Sequence, residues 1–272
     1  MKHLAQSEES ARIEREYARN DSSGISDRLY RYENPAFLFH MQERERAILG
    51  ALRRLGIVLS GSHLLEVGCG NGHILQRFLE FGAASGCGVD LMANRILDGT
   101  TRYPNLKLHQ GDASRLPFED EQFHLVIQFM CLSSVLDPSM RRQIASEMWR
   151  VLKPGGAILY YDLRPTGKLG WRLVRLLRFL LNKELNYSKE NPGEAQPQAT
   201  VPIQPLTISE VQALFPQGEV DYQSVSLDFS LARAAASSDF LARVMALVPV
   251  LRTHYLVTTR KVLPFKVGDH IP

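Results

Sequence analysis

The sequence predicts a doubly wound α/β domain, and three observations carry that expectation. From Ser62 to Asp162 short apolar runs alternate with helical stretches. The first run feeds a glycine-rich turn that opens a helix. The chain has 272 residues, 44% hydrophobic and 22% charged, enough to bury a full core. Strand then helix, repeated, implies parallel pairing with right-handed crossovers.

The elements follow in order. Residues 1–20 interleave Glu and Arg and read as a polar N-terminal helix free to move. Residues 21–34 read as a loop carrying Tyr30 and Tyr32. Asn34-Pro35 then reads as an N-cap followed by Pro at the first helical position. Phe37, Met41, Ile48, Leu49, Leu52 and Leu55 give that helix an apolar face, and Gly56 ends it. On this reading His40 and Arg44, one turn apart, sit at the surface. Strands are expected at 63–67, 85–90, 106–110, 124–129 and 157–162, with helices at 72–81, 92–103 and 139–152 between them. The rhythm then changes. Residues 165–205 hold one very apolar helix and a polar loop, an insertion long enough to be functional or disordered. A helix at 207–215, a strand at 219–229, a second inserted helical stretch at 231–247 and a last strand at 254–262 complete the chain. The expected organisation is an N-terminal helical segment or lid over 1–45 and one catalytic-type domain over 46–272. Inserted lid segments are expected at 165–205 and 230–252.

Composition narrows the function classes. A net charge of +3 does not call for a nucleic-acid partner. Cys69, Cys87 and Cys131 form no CxxC pair and no disulfide framework, which suits a reducing, cytoplasmic setting. The first residues carry charges and no apolar leader, and no run is apolar enough to span a membrane. No metal-ligand spacing stands out.

The sharpest local signal is Leu64-Leu65-Glu66-Val67-Gly68-Cys69-Gly70-Asn71-Gly72. Glycines in such a turn let the backbone bend tightly and let a ligand approach the main chain. A dinucleotide fingerprint needs its third glycine three residues after the second, where His73 stands here. The spacing is GxGxG, with Glu66 two residues before it. This pattern resembles motif I of the class I S-adenosylmethionine (SAM)-dependent methyltransferases. Further matches follow in the family's order: Gly88-Val89-Asp90-Leu91, Gly111-Asp112-Ala113, Leu116-Pro117-Phe118 running into Phe123–Ile127, and Leu152-Lys153-Pro154-Gly155-Gly156. The resemblance covers roughly residues 45–165, and its subgroup is the small-molecule, type 11-like one.

The resemblance implies a seven-stranded Rossmann-like sheet with an antiparallel last strand, and SAM as cofactor. It places Glu66, Gly68, Cys69, Gly70, Gly72, Asp90, Leu91, Asp112, Ala113 and Gln128 at the cofactor, with Asp90 on the ribose and Asp112 at the adenine edge. Residues 128–131 read Gln-Phe-Met-Cys, without the Asn/Asp-Pro-Pro-Tyr signature of base methylation. Methyl transfer from a sulfonium mainly needs alignment, and a base only where the acceptor keeps its proton.

In an open α/β sheet the ligand lies beyond the carboxyl ends of the strands. Tyr30, Tyr32, Asp162, Arg164, Trp171 and His254 are the candidates for the acceptor rim. His254 is the candidate base, and Arg164 either holds an acid group or pairs with Asp162. His73 is expected to pack beside the cofactor. The expected function is methyl transfer to oxygen of a lipophilic metabolite, with a sugar or glycan as the alternative acceptor. An NAD-dependent oxidoreductase and a non-catalytic module of the same fold are the competing classes.

Lys168, Arg172, Arg175, Arg178 and Lys183 are expected on one face of a helix, with Leu169, Leu173, Val174, Leu176, Leu177, Leu180 and Leu181 on the other. Trp171 and Phe179 fall near the basic side. Such a helix serves as a lid, as a transient membrane contact or as a subunit interface.

Overall fold

The computed structural model describes residues 2–22, 33–185, 201–235 and 238–262. In chain order the elements are α1 (Lys2–Ser22), α2 (Pro35–Arg54), β1 (His63–Val67), α3 (His73–Glu80), β2 (Ser85–Asp90), α4 (Ala93–Arg102), β3 (Lys107–Gln110) and β4 (Phe123–Phe129). They continue with α5 (Pro138–Val151), β5 (Leu152–Leu163), α6 (Lys168–Leu185), α7 (Ile208–Leu214), β6 (Val220–Leu227), α8 (Phe229–Ala234), α9 (Asp239–Ala246) and β7 (Arg252–Arg260). The seven strands form one sheet in the order β3-β2-β1-β4-β5-β7-β6. β1 to β5 pair in parallel, and β7 runs antiparallel to both β5 and β6.

Alternation along the strands assigns the two faces. Leu65, Val126, Ile158 and Tyr160 turn to the face covered by α5, α7 and Ile13 of α1. Leu64, Leu125, Leu159 and Tyr161 turn to the face covered by α2 and α3. Near-continuous apolar strands are what a sheet buried on both faces requires. A smaller third core joins α6, α8 and α9 to the start of α2.

Local chemistry fixes the ends. Asn34 Oδ1 accepts the Ala36 N–H, Asp137 Oδ1 accepts the Ser139 N–H, and Thr207 with Glu210 forms a capping box. Four expectations need revision. The expected helix at 231–247 is two helices, α8 and α9, each with its own side-chain cap, Asp228 and Ser238. β5 starts at Leu152, which pairs with Phe123, and bulges before regular pairing resumes at Ala157. The core face of α2 uses Phe39 and Arg44, while Leu49 is exposed. Lastly, α1 is docked on the domain through Ile13 and Tyr17.

Candidate cofactor and acceptor site

The turn between β1 and α3 uses its three glycines for three reasons. All take positive φ: 71° at Gly68, 53° at Gly70 and 81° at Gly72. A Cβ on Gly68 would fall 2.6 Å from Cys131 Sγ, and one on Gly72 would fall 2.8 Å from Leu106 Cδ1. Those two are glycine because protein packs against them. A Cβ on Gly70 would meet nothing within 4 Å. Only there does the turn face open space.

Asp90, at the end of β2, is held from two sides. Gly70 N donates to its Oδ2 at 2.7 Å and Met92 N to its Oδ1 at 2.9 Å. The N–H groups of Gly68 and Cys69 both donate to Val89 O, which ties the turn to β2. Leu91 is half-buried beside Asp90. Glu66 is buried in β1, and its Oε2 meets no hydrogen-bond partner among the described residues. Burial pushes the Glu66 carboxyl well above its ordinary range and Asp90 adds to the rise, while Arg44 opposes it. Asp112 Oδ1 accepts the Ser114 N–H, and the half-buried Ala113 lies between them. Gln128 is fully buried at the end of β4, where its Oε1 accepts the N–H groups of Cys131 and Leu132. It shapes the turn that presses on Gly68. His73 begins α3, where desolvation and the nearby Arg44 charge push its imidazole down to about 4. An open cradle at Gly70, a fixed carboxylate at Asp90 and an unpartnered buried carboxylate oxygen at Glu66 together fit the nucleoside and amino-acid ends of SAM.

The helix α1 crosses this edge of the sheet. Glu9 Oε1 accepts Leu136 N at 2.5 Å, Arg12 donates to Ser134 O at 2.6 Å, and the Tyr17 and Ser134 hydroxyls share a hydrogen bond of 2.7 Å. Ser10 Oγ donates to Asp112 Oδ2 at 3.3 Å, and Arg95 pairs with Asp21. Sequence reasoning missed this role. The available signal was Ile13 and Tyr17, one turn apart in an otherwise charged helix.

Beyond the ends of β4 and β5 lies a buried aromatic and imidazole cluster. His254 stacks on Tyr161 at 5.0 Å between ring centroids and meets His40 edge-on at 4.9 Å. His40 Nε2 and Tyr161 OH are 3.1 Å apart, and Tyr161 OH also bonds Ser226 Oγ at 2.7 Å. The Arg44 guanidinium lies 5.5 Å from the Phe129 ring centroid and 5.8 Å from that of Tyr161. His40 and Arg44 therefore point inward, against the expectation that they are surface residues. A signal was there to read: Met41, Arg44 and Ile48 share one apolar stripe of α2. Burial and the nearby Arg44 charge push the His40 imidazole down to about 3. Burial, His40 and Arg44 hold His254 well below its ordinary value. Both imidazoles are neutral at pH 7. Two non-glycine residues with positive φ flank the cluster, Met130 at 59° and Ser226 at 61°, and such strain gathers at functional sites.

The remaining candidates divide. Asp162 is buried and accepts the N–H groups of Ser133 and Leu163. It does not pair with Arg164, which donates instead to Ser224 Oγ and Pro249 O. Trp171 is exposed on α6, and Tyr30 and Tyr32 lie outside the described residues. On α6, Leu176 and Leu180 face solvent with the cations, so the expected split into a basic and an apolar face does not hold. Among the described residues no His/Cys/Asp/Glu group has the arrangement of a metal site.

The strand order, the antiparallel last strand and the glycine turn at the carboxyl edge define the class I methyltransferase fold. Residues 64–156 match the family model described as a methyltransferase domain. The chain is 36% identical over 137 residues to phthiotriol/phenolphthiotriol dimycocerosates methyltransferase 1 of Mycobacterium ulcerans, a match covering 48% of this chain and 49% of that protein. It is 32% identical over 110 residues to the sterol 4-C-methyltransferase strm-1 of Caenorhabditis elegans, covering 38% and 32%. The chain thus spans half or less of the length of these curated relatives. Among solved structures, the complex of the Haloferax volcanii Trm112 methyltransferase activator with a putative methyltransferase aligns with a TM-score of 0.56 at 17% identity, over 92% of this chain and 97% of that one. The [4+2]-cyclase SpnF aligns with a TM-score of 0.54 at 17% identity, over 82% and 83%. These two likenesses are of fold. No helix among the described residues is long and apolar enough to cross a membrane.

Proposed function

We propose that this chain transfers the methyl group of SAM to a lipophilic small molecule, at oxygen. The observation that carries the reading is the Asp90 carboxylate, fixed by Gly70 N–H and Met92 N–H beside the open space at Gly70. An ionised carboxylate has about four lone-pair sites. Two are engaged by backbone, and the others are free for the ribose hydroxyls. In this reading Leu91 flanks the adenine, and Asp112 with the Ala113 N–H takes its polar edge. The backbone from Gly68 through Cys69 and Gly70 to Gly72 approaches the methionine end, with Glu66 and Gln128 as the buried floor.

When bound, SAM supplies a methyl group activated by its sulfonium, so that the sulfur–carbon bond breaks as the carbon–oxygen bond forms. The chain's own part is alignment and exclusion of water. In this reading the acceptor hydroxyl gives its proton to His254, which the cluster holds neutral but makes a weaker base than a free imidazole. Asp162, Arg164 and Trp171 remain the rim assignments on the acceptor side. Support for a lipophilic acceptor comes from the mycobacterial and nematode relatives, which are named for phthiotriol/phenolphthiotriol dimycocerosates and for sterol. A carbon acceptor is the second reading, favoured by the nematode protein's name.

Calorimetry with S-adenosylhomocysteine (SAH) and with NAD tests the cofactor reading. SAH is expected to bind and NAD not, and the reverse overturns it. Methyl-labelled SAM incubated with hydroxylated lipids then tests the acceptor. Label released by ether cleavage supports oxygen, and label that resists it supports carbon. For the base, His254→Ala is expected to lower the maximal rate at least about tenfold with SAH affinity unchanged. A variant at full rate with an unaltered pH profile removes His254 from the mechanism.

A further inference from the structure

Two helices on the carboxyl side of the sheet turn apolar residues outward. On α6 the side chains of Leu173, Val174, Leu177 and Leu181 pack into the third core. The opposite arc carries Lys168, Arg172, Arg175 and Phe179 within about 60°, at 100° per residue, with Trp171, Leu176 and Leu180 exposed beside them. Phe179 is 65% exposed at the centre of that arc. Residues 168–183 contain no acid. On α9 the small face, Ala242, Met245 and Ala246, goes into the same third core. Phe240, Val244 and Leu247, spaced i, i+4 and i+7, line the outer face, with Phe240 77% and Leu247 73% exposed. Soluble monomers rarely leave such residues grouped at the surface.

We propose that the outer faces of α6 and α9 dock on a lipid bilayer bearing anionic headgroups. On α6, aromatic and aliphatic side chains interleaved with arginines and free of acid over 168–183 match the interfacial zone, where apolar tips enter the acyl boundary and guanidinium groups meet phosphates; α9 adds Phe240, Val244 and Leu247 beside Arg243, with Asp239 at its first position. Charge also decides against a second copy of this chain as the occupant. A two-fold contact through α6 would set Arg172, Arg175 and Arg178 against their own counterparts, which like-charge repulsion opposes. Both helices leave the carboxyl edge of the sheet, α6 after β5 and α9 between β6 and β7, so docking here brings the acceptor side to the bilayer. That last consequence rests on the reading of the acceptor as lipophilic; the docking does not.

The test is flotation of the full chain with phosphatidylcholine vesicles, with and without phosphatidylglycerol, together with the fluorescence of Trp171. Flotation is expected to rise at least about tenfold with the anionic lipid and to fall in high salt, where attraction between exposed charges is screened. Indole emission should shift to the blue, and the shift should vanish in Trp171→Phe. Replacing Arg172, Arg175 and Arg178 with Gln should cut flotation about tenfold, and Phe240→Ser with Leu247→Ser about fivefold. SAH calorimetry on each variant reports folding and tests the cofactor reading separately, so either idea can fail alone. Equal flotation of wild type and the triple Gln variant overturns the proposal. So does burial of Trp171 by self-association, or by an acidic protein, with no response to vesicles.

Discussion

The glycine-turn edge of this sheet and the edge proposed for the acceptor are built on opposite plans. At the glycine-turn edge, residues close in sequence do the work. The turn from Gly68 to Gly72 closes on the end of β2, one strand away, with Gly70 N–H on Asp90 and the N–H groups of Gly68 and Cys69 on Val89 O. At the proposed acceptor edge the cluster gathers His40 and Arg44 from α2, Tyr161 from β5, Ser226 from β6 and His254 from β7. The first is a backbone device, held by main-chain N–H groups and by glycines at positive φ. The second depends on side chains brought together only by the complete sheet. Damage at the two edges should therefore differ in kind: loss of affinity in one, loss of stability and a changed pH response in the other.

The largest expected effect is Asp90→Ala. Two charge-assisted ribose hydrogen bonds at about 1.5–3 kcal/mol each correspond to a loss of SAH affinity of about a hundredfold or more. Gly70→Val should act similarly, because it fills the open cradle and strains a φ of 53°. Both variants should stay folded by circular dichroism. Unchanged SAH affinity in Asp90→Ala would show that the clamp serves the turn and not a ligand.

Arg44→Met comes next and should strike stability first. The guanidinium is buried against two aromatic rings and opposes the raised carboxyl of Glu66. Removing one member of a buried charge arrangement typically costs about 3–5 kcal/mol. If Arg44 compensates Glu66, the pair Arg44→Met with Glu66→Gln should cost less than the two single changes added, by urea unfolding. Strict additivity would break the link between the two edges.

Proton linkage sharpens the contrast. His40 titrates near 3 in the folded chain, against about 6.5 unfolded. Below pH 6.5 the unfolded chain takes up a proton that the folded chain refuses. Stability is therefore complete above that pH and falls as the pH drops toward 3, by up to about 1.4 kcal/mol per pH unit. His254 shifts the same way and adds to the slope. Glu66 and Asp162 are raised, so their contribution is present at low pH and lost as the pH rises through their folded values. The difference between wild type and His40→Asn isolates the histidine part. That difference should grow between pH 6.5 and 4 and be flat from 7 to 8.

This division also explains what the sequence could reveal. The places of Glu66, Gly68, Gly70, Gly72, Asp90 and Asp112 at a turn, at strand ends and before a helix were readable locally, while their part at a cofactor came from the family resemblance and is a proposal. The sheet itself was readable from its apolar runs. The stripe of α2 could place Arg44 inward, but the cluster that it joins with His40 was not readable, since that depends on Tyr161 and His254, more than a hundred residues away. The outer face of α6 was misjudged for a related reason. Wheel geometry finds an apolar side, but which part of it meets protein is set by the width of the third core, and that core ends before Leu176 and Leu180.

The smallest expected effect concerns α1, which touches the glycine-turn edge from outside. Beside the apolar contacts of Ile13 and Tyr17, α1 is held by polar ones: Glu9 accepts the N–H groups of Leu136 and Asp137, Arg12 reaches Ser134 O, and Ser10 reaches Asp112. The Arg12 guanidinium and the two N–H groups keep the Glu9 carboxyl below its ordinary range, so it is ionised at pH 7. Glu9→Gln keeps the shape and removes the charge, at a cost of about 1 kcal/mol for the weakened hydrogen bonds. If α1 must lift for the cofactor to leave, that cost should appear as an SAH dissociation rate about fivefold faster, measured by stopped flow, with a smaller change in association. Glu16→Gln provides the control, since Glu16 pairs with the exposed Arg19 on the same helix and should leave the rate unchanged. A Glu9→Gln variant with a lower melting temperature and an unaltered dissociation rate would make α1 a brace for the β4–α5 connection. The two edges would then differ in a further respect, with the glycine-turn edge standing open and only the proposed acceptor edge covered.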